Sequence, residues 1–149
     1  MNIAYFLLPK YCVTYLYDDQ SFRQGLEKMR YHGYTAIPVI NRQGQYVGTI
    51  SEGDFLWQLF PDGKHSCPKN QKDLEKRCIR DLLREDHYPP VRITVSMEEL
   101  VNSAMNQNFT PVVDDLGNFV GIITRRDVIR HLAENCEEKE SEADYLKIV

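Results

Sequence analysis

The sequence has no long apolar run, which excludes helical membrane proteins. A helix that crosses a bilayer needs about 20 consecutive apolar residues, and no stretch of the 149 residues approaches that length. Residues 1–8 are apolar but too few, and they lack the basic start and small-residue cleavage site of a secretory signal. We therefore expect a cytoplasmic protein that does not enter a membrane.

Cysteine is scarce and irregularly spaced. The four cysteines are Cys12, Cys67, Cys78 and Cys136, and none belongs to a CxxC pair or shares a regular spacing with histidine. Disulfide frameworks are typical of small chains that cannot build an apolar core, and zinc sites need closely spaced pairs of ligands. We expect reduced thiols and no bound metal.

The chain has no excess of basic charge, which argues against nucleic acid as a partner. The formal net charge is −4, and it is concentrated in residues 134–149, where six acidic side chains accompany two lysines. The rest of the chain is neutral, whereas proteins that bind nucleic acid carry a basic footprint. We interpret the acidic tail as the solvated end of a helix.

The sequence motifs of common catalytic sites are also missing. The chain has no GxSxG, P-loop, HExxH or CxxC motif. Its histidines lie in polar or linker sequence with no obvious nucleophile nearby: His32, His65, His87 and His131. We do not expect an enzyme.

The most informative feature that the sequence does contain is one motif that occurs twice. Residues 38–54 and 111–127 share a Pro-Val start, a turn that ends in glycine, an aromatic-Val-Gly-x-Ile run and a Ser/Thr-x-x-Asp end. Every matched pair lies 73 positions apart. Such internal repeats indicate two copies of one unit that pack against each other. The sequence therefore predicts a pseudo-symmetric pair with a cleft between its halves.

Each half is predicted to run strand, helix, hairpin, helix, from apolar residues at helical spacing and β-rich runs separated by turns. The fold class is therefore α/β (α+β), with the order β-α-β-β-α in each repeat. We expect repeat one at 5–61, a polar linker at 62–72, repeat two at 73–133 and the acidic tail at 134–149. Further expected elements are strands at 13–16 and 91–95, a helix at about 74–83, and a last helix from Thr124 to about Leu132.

The segment Thr124-Arg125-Arg126-Asp127 is predicted to bind a nucleotide. A strand ends and a helix begins there, so backbone N–H groups and the positive end of the helix dipole can bind an anion. The arginines add bidentate phosphate donors, and the carboxylate can accept hydrogen bonds from the hydroxyls of a ribose. Thr-x-x-Asp is also a helix-capping signature, and the arginines could be solvated surface charges, so these alternatives stay open.

The loop Tyr34–Pro38 is the second candidate segment. Its small Ala36, its Thr35 and its stiff proline can bring backbone N–H and C=O groups close to a flat ring such as adenine. The alternative interpretation is a tight connection between a helix and a strand.

Residues 5–133 resemble a tandem pair of CBS domains, also called a Bateman module, in the duplicated motif and in the order of elements. The resemblance implies two repeats related by a pseudo-twofold axis and packed through their sheets. It also implies clefts that bind adenosine-containing ligands and the formation of a homodimer.

The resemblance assigns residues to two clefts, each of which joins the loop before the proline of one repeat to the helix start of the other. The main cleft takes Cys12, Thr14, Tyr34, Thr35, Ala36, Pro38, Thr124, Arg125, Arg126 and Asp127. The second cleft takes Ser51, Asp54, Ile93, Phe109 and Thr110. Glu52 lies where a phosphate would bind in the second cleft, so we expect it to bind anionic ligands more weakly.

These features predict a non-enzymatic cytoplasmic sensor of an adenine nucleotide that needs no cofactor and signals in trans to an unidentified protein. Residues 33–39 and 124–126 are similar to a stand-alone bacterial group of CBS pairs that binds cyclic di-AMP. That group need not carry an acid after its arginines, whereas Asp127 suits the ribose diol of AMP, ADP or ATP. A constitutive scaffold with empty clefts is the main alternative, and hydrolysis of a bound nucleotide is the least favoured one.

Overall fold

A computed structural model describes residues 3–59 and 75–148, with side chains for 3–58 and 75–136. The predicted linker at 62–72 lies outside the described residues. Within the described ranges, no helix combines the length and the apolar composition that a membrane span requires.

The first repeat folds in the predicted order because its first helix has a clear start and end. Ser21 and Gln24 form a capping box, in which each side chain accepts from the other residue's backbone N–H. Gly33 ends the helix at a φ of 69°, which glycine adopts without strain. After β1 (Leu8–Pro9), the elements are β2 (Leu16–Tyr17), α1 (Phe22–His32), β3 (Ala36–Ile40), β4 (Tyr46–Ser51) and α2 (Glu52–Leu59).

The second repeat follows the same order, so the predicted β-α-β-β-α pattern is confirmed. Ser96 starts its first helix by accepting from the Glu99 backbone N–H at 3.2 Å. The elements are β5 (Val91–Arg92), α3 (Met97–Asn106), β6 (Phe109–Val113), β7 (Phe119–Thr124) and α4 (Arg125–Ile148). The strands form two sheets, in the orders β2-β3-β4 and β1-β7-β6-β5. Strand β1 therefore joins the sheet of the second repeat.

Both predicted first strands are shorter in the structure. The strand expected at 13–16 is only Leu16–Tyr17, because Lys10–Cys12 forms a 3-10 turn and the parallel register with β3 begins at Leu16. The strand expected at 91–95 is limited to Val91–Arg92, which pair with β6. The residues before each strand are therefore free to line a cleft.

Two predicted helices also differ. The helix expected at about 74–83 is interrupted, because Cys78 is extended and bridges Ser21, and Ile79–Leu82 forms a 3-10 helix. The last helix, expected to end near Leu132, continues to Ile148. The acidic tail contains five glutamates and two lysines, which are good helix formers, and so extends α4.

Three apolar clusters hold the fold together. One is built from repeat one together with Ile79 and Leu82 of the segment before β5, and one is built from repeat two together with Ile3. A third lies between the two sheets, so the repeats pack through their sheets as predicted. The third cluster consists of buried Ile40, Phe109, Phe119 and Ile122 with tyrosines packed against it. Burial of large aromatic rings at this position ties the two sheets into one structure.

The tips of the two hairpins pair with each other. Tyr46 N–H donates to Gly117 O at 3.1 Å, and Phe119 N–H donates to Gly44 O at 2.9 Å. The partners in these two bonds are exchanged between residues 73 positions apart, as a twofold relation requires. The bonds therefore place the two repeats face to face around a pseudo-twofold axis.

Glycine is required at one crossing point near this axis. Strand β1 runs antiparallel to β7 with Pro9 opposite Gly121, and a methyl group on Gly121 would overlap the Leu8 carbonyl oxygen. Because the obstacle is backbone, it cannot swing aside as a flexible side chain would. Only a residue without a Cβ lets β1 approach this closely.

We expect Gly121→Ala to destabilise the protein by about 1–3 kcal/mol, because the added methyl group forces β1 away from β7. Gly53→Ala is the matched control, since its Cβ would meet nothing closer than 3.7 Å and alanine favours a helix. Urea unfolding of both variants measures the difference. Equal stability of Gly121→Ala and the wild type would contradict this account of the crossing.

Candidate functional site

A pocket of about 350 Å³ lies between the two repeats. Its volume falls within the range of small-molecule sites. Three parts of the chain line it: the segment around β1 and β2, the loop between α1 and β3, and the start and end of the second hairpin. The lining residues are Leu8, Cys12, Val13, Thr14, Gly33, Tyr34, Thr35, Ala36, Pro38, Asn108, Phe109, Ile122 and Thr124.

The structure brings together seven of the ten residues predicted for the main cleft. Cys12, Thr14, Tyr34, Thr35, Ala36, Pro38 and Thr124 all line the pocket. Six further residues line it, of which Phe109 was assigned to the second cleft and five were not assigned to this cleft: Leu8, Val13, Gly33, Asn108 and Ile122. Ile122 lies inside the duplicated motif of the second repeat and Asn108 lies three residues before it, so the repeat could have indicated both.

The pocket has an apolar floor and a polar rim. Pro38 and Ile122 are buried, and Ala36 contributes only a methyl group beside them. Hydroxyl groups of Thr14 and Thr35 belong to the half-buried or exposed lining. A narrow apolar space with a few polar groups at its edge suits a flat heterocycle.

Backbone groups at the rim are available to a ligand. The Thr35 carbonyl accepts from the Glu52 N–H at 3.0 Å. In the part of the chain that the structure describes, the Thr35 N–H and the backbone of Thr14 have no protein partner. Such groups can hydrogen-bond the edge of a planar base without any dedicated side chain.

Tyr34 marks the open side of the pocket. Its ring stacks on His32 with the centroids 5.3 Å apart and an interplanar angle of 11°. Both residues are exposed. The stacked pair therefore fixes the Tyr34 ring as one wall of the mouth.

Helix α4 begins at the inner edge of the pocket. Thr124 Oγ1 accepts from the Asp127 N–H at 3.2 Å, so the capping interpretation of this hydroxyl is correct. The Asp127 side chain is 37% exposed, and its ion-pair partner Arg130 is 3.8 Å away. Asp127 does not line the pocket itself but another groove, which also includes Tyr5 and His131.

The two arginines of the predicted anion site have different environments. Arg125 does not line the pocket, and its Nε donates to the carbonyl of Ala104, in the last turn of α3, at 2.6 Å. A cation there is favourable because the helix C-terminus carries unpaired carbonyls. The Nε of Arg125 is therefore committed to the protein, and the role of Arg125 as a phosphate ligand stays a prediction. Arg126 is exposed and has no ion-pair partner among the described side chains.

The second predicted cleft is built differently. Asp54 is 4% exposed, and its Oδ1 forms an ion pair with Arg84, whose Nε lies 2.7 Å away. Its Oδ2 accepts from the backbone N–H and the hydroxyl of Ser51, at 2.8 and 3.0 Å. The carboxylate that was expected to hold a ribose is therefore already occupied by the protein. No signal in the sequence indicated Arg84.

The other residues predicted for the second cleft are not gathered there. Phe109 lines the main pocket instead, because β6 starts on the pocket side of the sheet. Thr110 is buried and bonded through its hydroxyl to Ser103 at 2.6 Å, so it faces α3. Ile93 is half exposed in the turn after β5, because the strand ends one residue earlier.

His87 is held neutral beside this ion pair. Burial lowers the pKa of His87 below its ordinary value of 6.5, the nearby Arg84 guanidinium lowers it further, and Asp54 opposes both effects. Arg84 Nη2 lies 3.1 Å from His87 Nε2. Since arginine only donates, Nε2 must accept, which fixes the neutral imidazole.

No group of three or more potential metal ligands is found in the described ranges. The described cysteines, Cys12, Cys78 and Cys136, are free thiols. The pocket walls thus supply hydrogen-bonding groups and apolar surface for a ligand.

Comparison with protein families identifies two copies of one domain in the chain. The model of the family described as CBS domain matches residues 9–60 and 79–134. A Methanocaldococcus jannaschii protein is 22% identical over 90% of this chain, and a Methanopyrus kandleri protein is 26% identical over 75% of it. The chain spans about half the length of these relatives, 50% and 55% respectively.

Solved structures share the fold. A crystal structure of CbpB in complex with c-di-AMP superposes with a TM-score of 0.81 at 20% identity, over 95% of this chain and 91% of that one. A crystal structure of CBSX2 in complex with AMP superposes with a TM-score of 0.70 at 25% identity, over 89% of this chain and 96% of that one.

The lowered pKa of His87 makes the stability of the protein depend on pH. As the pH falls, His87 of the unfolded chain binds a proton near pH 6.5, whereas His87 of the folded chain binds one only at a lower pH. The contribution of His87 to the free energy of unfolding is therefore greatest above pH 6.5. It decreases as the pH falls from 6.5 to the folded pKa. We expect His87→Gln to flatten this part of the urea-unfolding profile.

An NMR titration of His87 checks the cause. Its pKa should lie below 6.5 in the wild type and rise in Arg84→Ala, since a nearby cation is removed. A wild-type pKa at or above 6.5 would contradict the assignment.

Proposed function

Since the chain belongs to the CBS-domain family, we propose that it is a regulatory module that binds an adenine nucleotide in the pocket between its repeats. The observation that carries the proposal is the apolar pocket with unpaired backbone groups at its rim. The proposal is supported by structures of the same fold that hold c-di-AMP or AMP. An adenosine group is the part that these two ligands share.

The adenine ring lies in the pocket against Pro38, Ala36 and Ile122. These side chains provide apolar contact on the ring faces. The Thr35 N–H and the Thr14 backbone provide hydrogen bonds to the ring edge. The selectivity for adenine thus comes from the shape of the slot and from main-chain groups.

The ribose and phosphate extend over the start of α4. Thr124 connects the pocket to this helix, and Asp127, one turn into it, has an accessible carboxylate that accepts from the ribose hydroxyls. Arg126 is the unpaired cation at the helix N-terminus and binds the phosphate. In a cyclic dinucleotide the 3′-oxygens are esterified, so Asp127 favours a nucleotide with a complete diol, such as AMP, ADP or ATP.

The bound nucleotide acts by changing which state of the protein is populated. The described residues hold none of the catalytic motifs considered above, so the chemistry supports binding and not turnover. A ligand shifts an equilibrium only by its differential affinity for the two states. We propose that a homodimer changes its geometry or rigidity and that a separate protein recognises the nucleotide-bound state.

A thermal-shift panel tests the proposal. AMP, ADP, ATP, cyclic di-AMP and S-adenosylmethionine are each added, and one adenine nucleotide at a hundred times its Kd should stabilise the fold by about 2.7 kcal/mol. No shift with any of the five would contradict ligand binding and favour a constitutive scaffold. Consumption of the ligand, followed by chromatography, would favour an enzyme.

Arg126→Ala tests the phosphate position. We expect it to weaken AMP about tenfold, because a charge-assisted hydrogen bond is lost, and to leave adenosine binding nearly unchanged. The control is Arg92→Ala, because Arg92 is an exposed arginine on β5, at the opposite edge of the sheet from β1. Calorimetry that finds equal losses for AMP and adenosine would show that Arg126 does not contact the phosphate.

A further inference from the structure

The pseudo-twofold axis creates a second cleft equivalent to the main pocket. The Glu52 N–H donates to Thr35 O, and the Arg125 N–H donates to Asn108 O, both at 3.0 Å. The two donors lie 73 positions apart, and so do the two acceptors, so each helix start is docked in the same way on the loop before the proline of its own repeat. The backbone therefore frames two sites.

The acids of the two clefts differ in accessibility. Asp127 is 37% exposed with a cation at 3.8 Å. Its counterpart Asp54 is 4% exposed with Arg84 Nε at 2.7 Å. In the proposed function, the ribose diol lies against the carboxylate of Asp127. In the second cleft the guanidinium of Arg84 occupies the equivalent position against Asp54.

The space for the base also differs. Leu16 pairs with Val39, and Val91 pairs with Val112, so the residues that precede β2 and β5 are equivalent. Three residues before each strand, repeat one has Val13 and repeat two has Tyr88. A second replacement follows from the duplicated motif, where Ala36 corresponds to Phe109.

Phe109 also lines the main pocket, so Tyr88 is the larger side chain that is available to fill the second cleft. The Tyr88 ring lies 4.9 Å from the Phe109 ring. Its hydroxyl accepts from the Asn108 N–H at 3.4 Å. That N–H is the counterpart of the Thr35 N–H, which has no partner among the described residues and lines the main pocket. The phenol ring of Tyr88 therefore makes the ring contact and the backbone hydrogen bond that an adenine base would make in this cleft.

The segment that carries these groups is held in an unusual conformation. Asp86 and Tyr88 have φ angles of 56° and 59°, which non-glycine residues seldom adopt. The Tyr88 carbonyl accepts from the Tyr46 hydroxyl at 2.7 Å, and His87 accepts from Arg84. Such a backbone persists only where its surroundings hold it in place.

We propose that Arg84 and Tyr88 are a built-in occupant of the second cleft, so that each chain binds one adenosine ligand instead of two. Arg84 satisfies the buried carboxylate, and Tyr88 fills the base position. The stoichiometry part of the proposal rests on the proposed function of the main pocket. The ion pair between Arg84 and Asp54 is observed directly and does not depend on the proposed function.

The test counts ligands. Calorimetry with AMP is carried out on the wild type and on Arg84→Ala/Tyr88→Val, which restores small side chains as in repeat one. Arg84→Gln/Tyr88→Val is the second variant if the first fails to fold by circular dichroism. We expect one AMP per chain in the wild type and two in the variant.

A matched control locates the second ligand. Val13→Tyr copies Tyr88 of repeat two into the main pocket, where Val13 is a lining residue, and it should abolish AMP binding in the wild-type background. In the Arg84→Ala/Tyr88→Val background it should leave one AMP per chain. One AMP in the wild type and one in the double variant, or two in the wild type, would overturn the inference while the proposed function stands.

A second measurement needs no ligand. Urea unfolding of Arg84→Ala, Asp54→Asn and the double variant gives the coupling between the two residues, which we expect to change the unfolding equilibrium constant about tenfold. If no AMP binds to the wild type, the proposed function is wrong. The coupling then tests by itself whether Arg84 occupies Asp54. A coupling below about twofold would overturn it.

Discussion

The reciprocal pairing of the hairpin tips is the constraint on which the rest of the structure depends. Two backbone bonds between residues 44–46 and 117–119 hold the repeats in a twofold relation. With the sheets fixed in this way, the helix start of one repeat lies beside the loop before the proline of the other. Neither repeat alone contains the pocket, because its lining comes from both.

Symmetric backbone does not give symmetric chemistry here. The fold forms two equivalent clefts, and a few side chains determine which of them can bind a ligand. Val13 is a small residue that lines the open cleft, while its counterpart Tyr88 packs against Phe109 and is proposed to fill the other cleft. The two acids of the duplicated motif show the same asymmetry, since Asp127 is accessible and Asp54 is buried and paired with Arg84. Duplication thus supplied the frame, and divergence of side chains determined how each half of it is used.

Much of this could be predicted from the sequence because it is encoded locally. The duplicated motif predicted the hairpins and the repeat order, since strand alternation and turn residues act over a few positions. The family resemblance predicted seven of the thirteen residues that line the pocket. The failures concern contacts between distant segments. Arg125 bonds the end of α3 and Arg84 bonds Asp54, and no spacing rule links such pairs. The shortened first strands likewise depend on a register with β3 and β6 that only the assembled sheets define.

A crystal structure of the full chain grown with AMP tests the central claim most directly. Our account places one nucleotide per chain, with its base against Pro38, its ribose hydroxyls on Asp127 and Arg84 still bonded to Asp54. A nucleotide on Asp54 with Arg84 displaced, or a main pocket left empty at saturating AMP, would contradict it.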